Sequence, residues 1–385
     1  MSSVKEINDI AGLQSVRLLW DSLLPRTRDA SFFHSLNWLE TYWRHFGAGQ
    51  RLRVLVVSSP HGPVGILPLV VRREATRIGR VRALTYPLDD WGTFYGPIGS
   101  NPTATLLAGL SHIRRTRRDW DMLDLRWTDE VGHDRGRTPQ ALRANGFQAH
   151  REAWTQTAQI QLDGDWERYW SSRKSHWRTN CRRNLKRLEE LGQVTHVRYR
   201  PSGAAAADDD PRWDLLDACQ QIASSSWQAS SKTGTTLSHD SVSHFLRDAH
   251  WAAVRAGCVD LNLLQVDGQA VAFNYNYCYQ GRLFGLRMGF LDRPEFSGAG
   301  SVLLQKMIQD SCRRGDESID LGSKYLDCKR HWATAVRTSY RYSHFPATAL
   351  RAQALRAKRW VRRMLIGEEN PLADDKNGRA AAYSS

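Results

Sequence analysis

Apolar residues follow two periods by turns along the chain, one helical and one alternating. "FFHSLNWLETYWRHFG" (Phe32–Gly47) has helical apolar spacing and closes on a glycine. "LRVLVVSSPHGPVGILPLVVRR" (Leu52–Arg73) reads as two strands around a Pro/Gly turn. "TATLLAGLSHIRRTRRD" (Thr103–Asp119) predicts a helix and "MLDLRW" (Met122–Trp127) a strand. The order returns in the second half. "VDLNLLQVDGQAVAFNYNYCYQGRLFGLRMGF" (Val259–Phe290) predicts a hairpin turned at Asp267-Gly268, then another strand. A helix from about Ser301 to Arg314 and the strand "SIDLGS" (Ser318–Ser323) follow.

The return is specific in one place. Arg117-Arg118 and Arg313-Arg314 close the two helices at a common offset. Asp124-Leu125 and Asp320-Leu321 sit in the two following strands at the same offset. This self-similarity predicts two copies of one α/β unit. The copies differ where the helix begins. The second has Gly298-Ala299-Gly300, and the first has Pro102-Thr103-Ala104. Glycine lets the backbone turn sharply and come close to another group, whereas proline has no amide to donate. The first amides of a helix are unpaired and suit an anion, so a phosphate at this position is expected in the second copy. An ordinary helix-start turn is the alternative.

Between the copies lies "RYWSSRKSHWRTNCRRNLKRLEELG" (Arg168–Gly192). Trp177, Cys181, Leu185 and Leu188 fall at helical spacing and are expected to face a core. From Arg168 to Glu190 there are eight basic and two acidic residues. They read either as a solvated face or as an electropositive wall for a polyphosphate or nucleic acid. "PSGAAAADDDP" (Pro201–Pro211) reads as an acidic loop. "LRAQALRAKRWVRRMLIG" (Leu350–Gly367) reads as a basic helix with Leu355, Trp360, Val361 and Met364 on its apolar side. Such a helix packs on its own domain or lies on an anionic membrane. The last residues are expected to be disordered.

Composition narrows the classes. Of 385 residues, 54 are basic and 40 acidic, a net charge of +14 that suits anionic partners. The length fits two or three domains. The six cysteines form no C-x-x-C pair and read as free thiols of a reducing compartment. The N-terminus does not read as a signal peptide, and no apolar run reaches spanning length, so a cytoplasmic location is expected. The histidines lie in no metal-binding pattern. No Gly-x-Ser-x-Gly elbow or Walker A loop is present, which argues against a serine hydrolase or an NTPase.

Hairpin, strand, Gly-containing loop, helix and strand, in that order, resemble the acyl-CoA-binding core of the GNAT acyltransferases. Over roughly Phe32 to Phe345 the chain more closely resembles the CelD/BcsL-like cellulose-biosynthesis branch, a double-GNAT group related to FemABX peptidyltransferases. "SFFHSLNWLETYWRHFG", "SSRKSHWRTNCRRNLKRLEELG" and "SSSWQASSKTG" (Ser224–Gly234) resemble its opening helix, basic helix and Trp-containing segment. "DLGSKYLDCKRHW" (Asp320–Trp332) resembles its closing segment, with Lys329 at the usual lysine position. Three positions depart from the pattern. Glu295 stands where a basic or amide residue is usual, Lys324 replaces a glycine and Cys328 a tyrosine.

The resemblance implies an α/β fold of two tandem GNAT-like domains. The expected boundaries are 1–155 for a degenerate copy, 156–349 for the acyltransferase domain with its basic helix 168–192, and 350–385 for a helix and tail. It further implies acetyl-CoA or another acyl-CoA as co-substrate, with no metal. Gly298, Ala299, Gly300 and Ser301 would hold its diphosphate, and Met288, Gly289 and Phe290 would line the thioester, an amide near Met288 or Gly289 meeting the oxyanion. Val259–Phe290 holds only Asp260 and Asp267 as acids, both read as lying at strand edges or turns. Asp320 is then the best carboxylate, with Tyr325 and Lys329 as catalytic partners. Asp124 occupies the same place in the inert copy, which favours a bracing role for Asp320. The acceptor would be an amine or hydroxyl of a saccharide or small molecule in polysaccharide or envelope synthesis. A FemABX-like transferase using aminoacyl-tRNA and a non-catalytic assembly partner are the competing readings.

Overall fold

The computed structural model describes residues 2–76, 79–226, 228, 236–323 and 326–366. The chain opens with β1 (Ser3–Ile7), α1 (Arg17–Leu23) and α2 (Leu36–Phe46). The hairpin β2 (Arg51–Ser59) and β3 (Gly62–Thr76) leads to β4 (Gly79–Thr85), α3 (Pro102–Arg115) and β5 (Met122–Thr128). Next come α4 (Arg137–Ala144), β6 (Ala149–Gln161), α5 (Trp166–Ser171), α6 (Ser175–Leu191) and β7 (Val194–Tyr199). Helices α7 (Trp213–Ser224) and α8 (Asp240–Arg255) precede β8 (Val259–Val266), β9 (Gln269–Tyr279) and β10 (Arg282–Phe290). The chain closes with α9 (Ala299–Arg314), β11 (Ser318–Asp320), α10 (Leu326–Lys329), β12 (Ala335–His344) and α11 (Leu350–Ile366).

Two compact units divide these elements, one formed by residues up to Gln156 and from Thr338 on, the other by Thr157–Arg337. The segment 338–349, assigned above to the second domain, therefore lies in the first. The reason is strand pairing: β12 runs antiparallel to β5, with Tyr342 opposite Leu125 and Ser343 opposite Asp124.

The first unit's strands are ordered β1-β2-β3-β4-β5-β12. All its neighbours are antiparallel except β4 and β5, where Ala83 faces Met122 and Leu84 faces Leu123 in parallel. A parallel pair needs a crossover, and α3 supplies it. Beyond Thr85 the chain leaves the sheet and returns on itself. Tyr95 N–H donates to the Trp127 carbonyl at 2.9 Å, and Ile98 exchanges backbone bonds of 2.8 Å with Ile66. The 95–98 segment thus fills the gap that opens past the end of β4. Asp124 is fully buried and holds Arg126, Arg341 and Ser343. Burial opposes its charge, but the two guanidiniums outweigh that and hold its pKa well below the usual range.

The second unit repeats the order as β7-β8-β9-β10-β11-β6. Here β10 and β11 are the parallel pair and α9 the crossover. The β8–β9 hairpin turns on Asp267 (φ 46°) and Gly268 (φ 79°), the left-handed pair of a tight two-residue turn. A core of Ile160, Cys181, Leu283, Leu304, Met307, Ile308 and Ile319 sits under the sheet.

Three local expectations change. The basic stretch Arg168–Gly192 is two helices, α5 and α6, parted at Ser172–Lys174. Within α6 Cys181 and Leu188 are buried, while Trp177 and Leu185 are half-buried. Asp260 is not at a strand edge. It lies fully buried in β8, where Arg198, Arg200, Asn262 and Asn276 all donate to it. Burial raises its pKa, and the two arginines more than reverse that. It is a neutralised brace, unsuited to proton transfer. The strand expected over Ser318–Ser323 ends at Asp320. The six cysteines are free, five of them buried. Much of Ser224–Gly234 and the tail from 367 lie outside the described residues.

Candidate active site

The site begins where β10 and β11 part. Their pairing covers only Arg282–Phe284 against Ser318–Asp320. At the last contact a Cβ on Gly285 would lie 2.8 Å from the Asp320 carbonyl oxygen. Only glycine lets the strands come this close before they separate. Beyond that point β10 continues to Phe290 alone, and a slot opens along its edge.

A bulge sets which groups face the slot. The β9–β10 register shifts between Gly285 and Arg287, leaving Leu286 without a cross-strand partner. Past the bulge Leu291 N–H donates to the Val271 carbonyl at 2.9 Å. Antiparallel pairs alternate, so the hydrogen-bonded pairs are Leu291–Val271, Gly289–Phe273 and Arg287–Tyr275. The N–H and C=O of Met288 and Phe290 consequently point away from β9, into the slot. Gly289 does not present its amide there. Of the two amides expected to meet an oxyanion, the geometry selects Met288.

The end of the slot meets the start of α9. Gly298 has φ 83° and caps the helix by its backbone alone. The carbonyl of Gly298 accepts the amides of Ser301 (3.0 Å) and Val302 (3.1 Å). Ser301 N–H is therefore turned inward, and the amides of Gly298, Ala299 and Gly300 have no protein acceptor among the described residues. Gly300 serves packing as well: a Cβ there would lie 3.2 Å from Phe290 Cδ1. At Gly298 a Cβ would fall 2.3 Å from Asn184 Nδ2 of α6. Arg187, one turn further along α6, donates to the Ser297 carbonyl. Helix α6, which carries five of the eight basic residues, thus closes over the glycine loop. Glu295 is exposed in the turn before it.

The first unit differs at the same point. Asn101 Oδ1 accepts the Ala104 amide at 3.0 Å and its carbonyl accepts Thr105 N–H at 3.1 Å, with Pro102 at the first helical position. Its helix start is occupied by its own cap.

Across the slot, Asp320 is buried and accepts the Thr157 hydroxyl and the Gly322 amide, the latter at 2.7 Å. Lys329 Nζ lies 3.6 Å from where a Gly322 Cβ would be. The structure thus brings Asp320 and Lys329 to one turn. Trp332 anchors that segment: it accepts Tyr169 O–H at 2.8 Å through its carbonyl and stacks on Trp170 with centroids 6.1 Å apart. Tyr325 and Lys324 lie outside the described residues. Sequence reasoning missed the bulge at Leu286, for which Gly285 in mid-strand was the available signal. It also missed Asn184 and Arg187, whose role appears only once α6 and α9 are packed together.

No grouping of acidic, histidine or cysteine side chains among the described residues could hold a metal ion. No described helix is long and apolar enough to cross a membrane.

Residues 175–330 match the family described as an acetyltransferase (GNAT) domain, which supports an acyltransferase of GNAT type. Among curated proteins, none matches the chain. The chain is similar in structure to FemX, with 12% identity, 90% of this chain and 98% of that chain covered, and a TM-score of 0.61. It is also similar to the C-terminal domain of a putative lysylphosphatidylglycerol synthetase from Agrobacterium fabrum (12% identity, coverage 90% and 96%, TM-score 0.53). A conserved protein of unknown function from Bacteroides thetaiotaomicron gives 11%, 90%, 100% and 0.50. These likenesses bear on fold alone, an α/β chain with mixed sheets, and the GNAT family model covers the second unit.

Proposed function

We propose that the second unit transfers an acyl group, acetyl in the simplest case, from acyl-CoA to an amine or hydroxyl. The observation that carries this reading is the contrast between the helix starts: α9 presents uncapped amides at the end of an open slot, where α3 is self-capped beside a filled one. The amides of Gly298, Ala299 and Gly300 would hold the donor's diphosphate at the positive end of α9. Arg187 supplies from α6 the positive charge that Glu295 does not supply from the loop. The donor brings an activated carbonyl when bound. Met288 N–H faces the place where negative charge develops on its oxygen, and such a donor is worth roughly 3–4 kcal/mol. The slot holds the two reactants side by side, worth up to about 7–11 kcal/mol.

At the other end Asp320 and Lys329 form the proposed acceptor side, with Tyr325 as a third catalytic candidate from the sequence. Asp320, committed to Thr157 and Gly322, shapes the turn as a positioning residue. Lys329, beside Gly322, is the residue proposed to meet the acceptor. The CelD/BcsL resemblance suggests a saccharide acceptor in envelope or polysaccharide synthesis.

The test is a thermal melt with acetyl-CoA. A ligand that binds the folded state at about 100 times its Kd stabilises by roughly 2.7 kcal/mol, so the midpoint rises by several degrees. An unmoved midpoint, together with salt-sensitive retention of tRNA on a filter, would favour aminoacyl-tRNA as the donor instead.

A further inference from the structure

The slot holds one side chain that the proposed reaction does not yet use. Gln228, in the connection after α7, is 1% exposed. Its Nε2 donates to the Met288 carbonyl at 2.8 Å and lies 2.9 Å from the position of a Gly289 Cβ. Only the nitrogen of a carboxamide can face a carbonyl, so Met288 fixes which end points where. The other end, Oε1, is buried and has no hydrogen-bond partner among the described residues. A buried acceptor left unpaired costs stability, and a native fold that keeps one usually has a use for it.

Its position suggests the use. Met288 is the residue whose peptide faces the slot. A ligand arm lying along β10 as a strand would pair twice with it, its carbonyl taking Met288 N–H and its own N–H seeking Met288 C=O. The second of those places is occupied by Gln228. The carboxamide satisfies the strand carbonyl with its N–H, and its own enclosed oxygen is left as the acceptor in that carbonyl's place. The hydrogen-bonding polarity of the strand edge is thereby passed on unchanged. Gly289 makes room for it, since any side chain there would strike Gln228 and Phe273, the latter at 2.7 Å.

We propose, resting on the acyl-CoA reading above, that Gln228 Oε1 accepts the N–H of the donor's amide nearest the thioester. Gln228 is then a positioning residue that sets the depth of the thioester carbonyl against Met288 N–H. Its effect belongs to the donor arm and is independent of the diphosphate at α9.

Calorimetry on the full chain separates these contributions. The probes are S-ethyl-coenzyme A, the same compound with the sulfur-proximal amide replaced by an ester, and 3′-phosphoadenosine 5′-diphosphate, which lacks the arm. Wild-type protein is expected to bind the ester analogue roughly five- to tenfold more weakly than its parent, the effect of one neutral hydrogen bond. Gln228→Leu is expected to lose that discrimination while keeping its affinity for the nucleotide diphosphate. Equal binding of parent and ester by the wild type overturns the proposal without any variant, and so covers the case in which Gln228→Leu does not fold. Equal weakening of all three probes in the variant also overturns it, by making Gln228 a structural brace alone. Binding of none of the probes by wild-type protein overturns the acyl-CoA reading itself. Binding of the nucleotide and thioether with no preference for the amide leaves that reading standing and removes only this one.

Discussion

At the scale of residues, burial decides which groups keep their charge. His34 is 3% exposed, stacks on Tyr95 at 4.6 Å, and faces Ser31 Oγ through Nδ1 at 3.0 Å. Burial, aided by nearby His133, pushes its pKa from 6.5 down to about 3. Below pH 6.5 the unfolded chain binds a proton that the folded chain refuses. Stability is therefore full above 6.5 and declines as the pH falls toward 3, by up to ~1.4 kcal/mol per pH unit. Between pH 7 and 5 this amounts to about 2 kcal/mol in the first unit's transition. Urea titrations across that range should show the decline. His34→Gln, which preserves the reciprocal cap with Ser31, should flatten it; an undiminished slope in that variant would place the acid sensitivity elsewhere. Little of this was legible beforehand. "FFHSLNWLE" shows a histidine on an apolar stretch, but its neighbours Tyr95 and His133 come from other parts of the chain. Asp260 was misread for the same reason, since the arginines that neutralise it stand on and just after β7.

At the scale of elements, the helical and alternating periods located most boundaries within a few residues, because each element has one buried face. They failed where an element's role depends on distant partners. The α5–α6 break passed unnoticed since Trp170 and Trp177 keep a helix-compatible spacing across it. The slot was invisible because it is defined by a pairing that stops. Helix α11 was left between two readings, and its two ends now divide them. Ala352 and Leu355 pack with Val81, Ala83, Met122 and Phe345. Trp360, Val361 and Met364 remain exposed at 59%, 45% and 68%. Arg356 and Lys358 belong to the same helix, so its C-terminal half combines apolar surface with positive charge and fits an anionic lipid face. In flotation assays the chain should rise with phosphatidylglycerol vesicles and stay down with phosphatidylcholine alone. The double change Trp360→Glu and Met364→Glu should abolish flotation without altering the melt. Flotation indifferent to lipid charge, or untouched by the double change, would count against the lipid face.

At the scale of the whole molecule, one architecture has been used twice with opposite results at the same point. Both units place a crossover helix after a strand whose parallel partner lies beyond it, and both bury an aspartate on that partner. In the first, the chain spends 16 residues between Thr85 and Pro102, and this segment restores the pairing that the second unit leaves open. Asn101 and Pro102 then occupy the amide positions that Gly298–Gly300 leave uncapped. An insertion and a cap would be enough to retire a site while keeping its fold, because neither touches the sheet order or the core. The net charge of +14 is shared by both units and its larger part falls in the first, so long-range attraction does not single out the second. Local stereochemistry must. Calorimetric titration with coenzyme A should therefore saturate at one ligand per chain, not two. Replacing Gly298 by valine forces a β-branched side chain into φ 83° and into Asn184, and should remove that single binding event. Replacing Asn101 by alanine opens the first helix's cap at a cost of about 1 kcal/mol in stability, yet should create no second event, since Tyr95 still closes the strand gap. Two binding events in the wild-type chain would mean that the filled gap is not a barrier, and a single event that survives the valine would place the binding in the first unit.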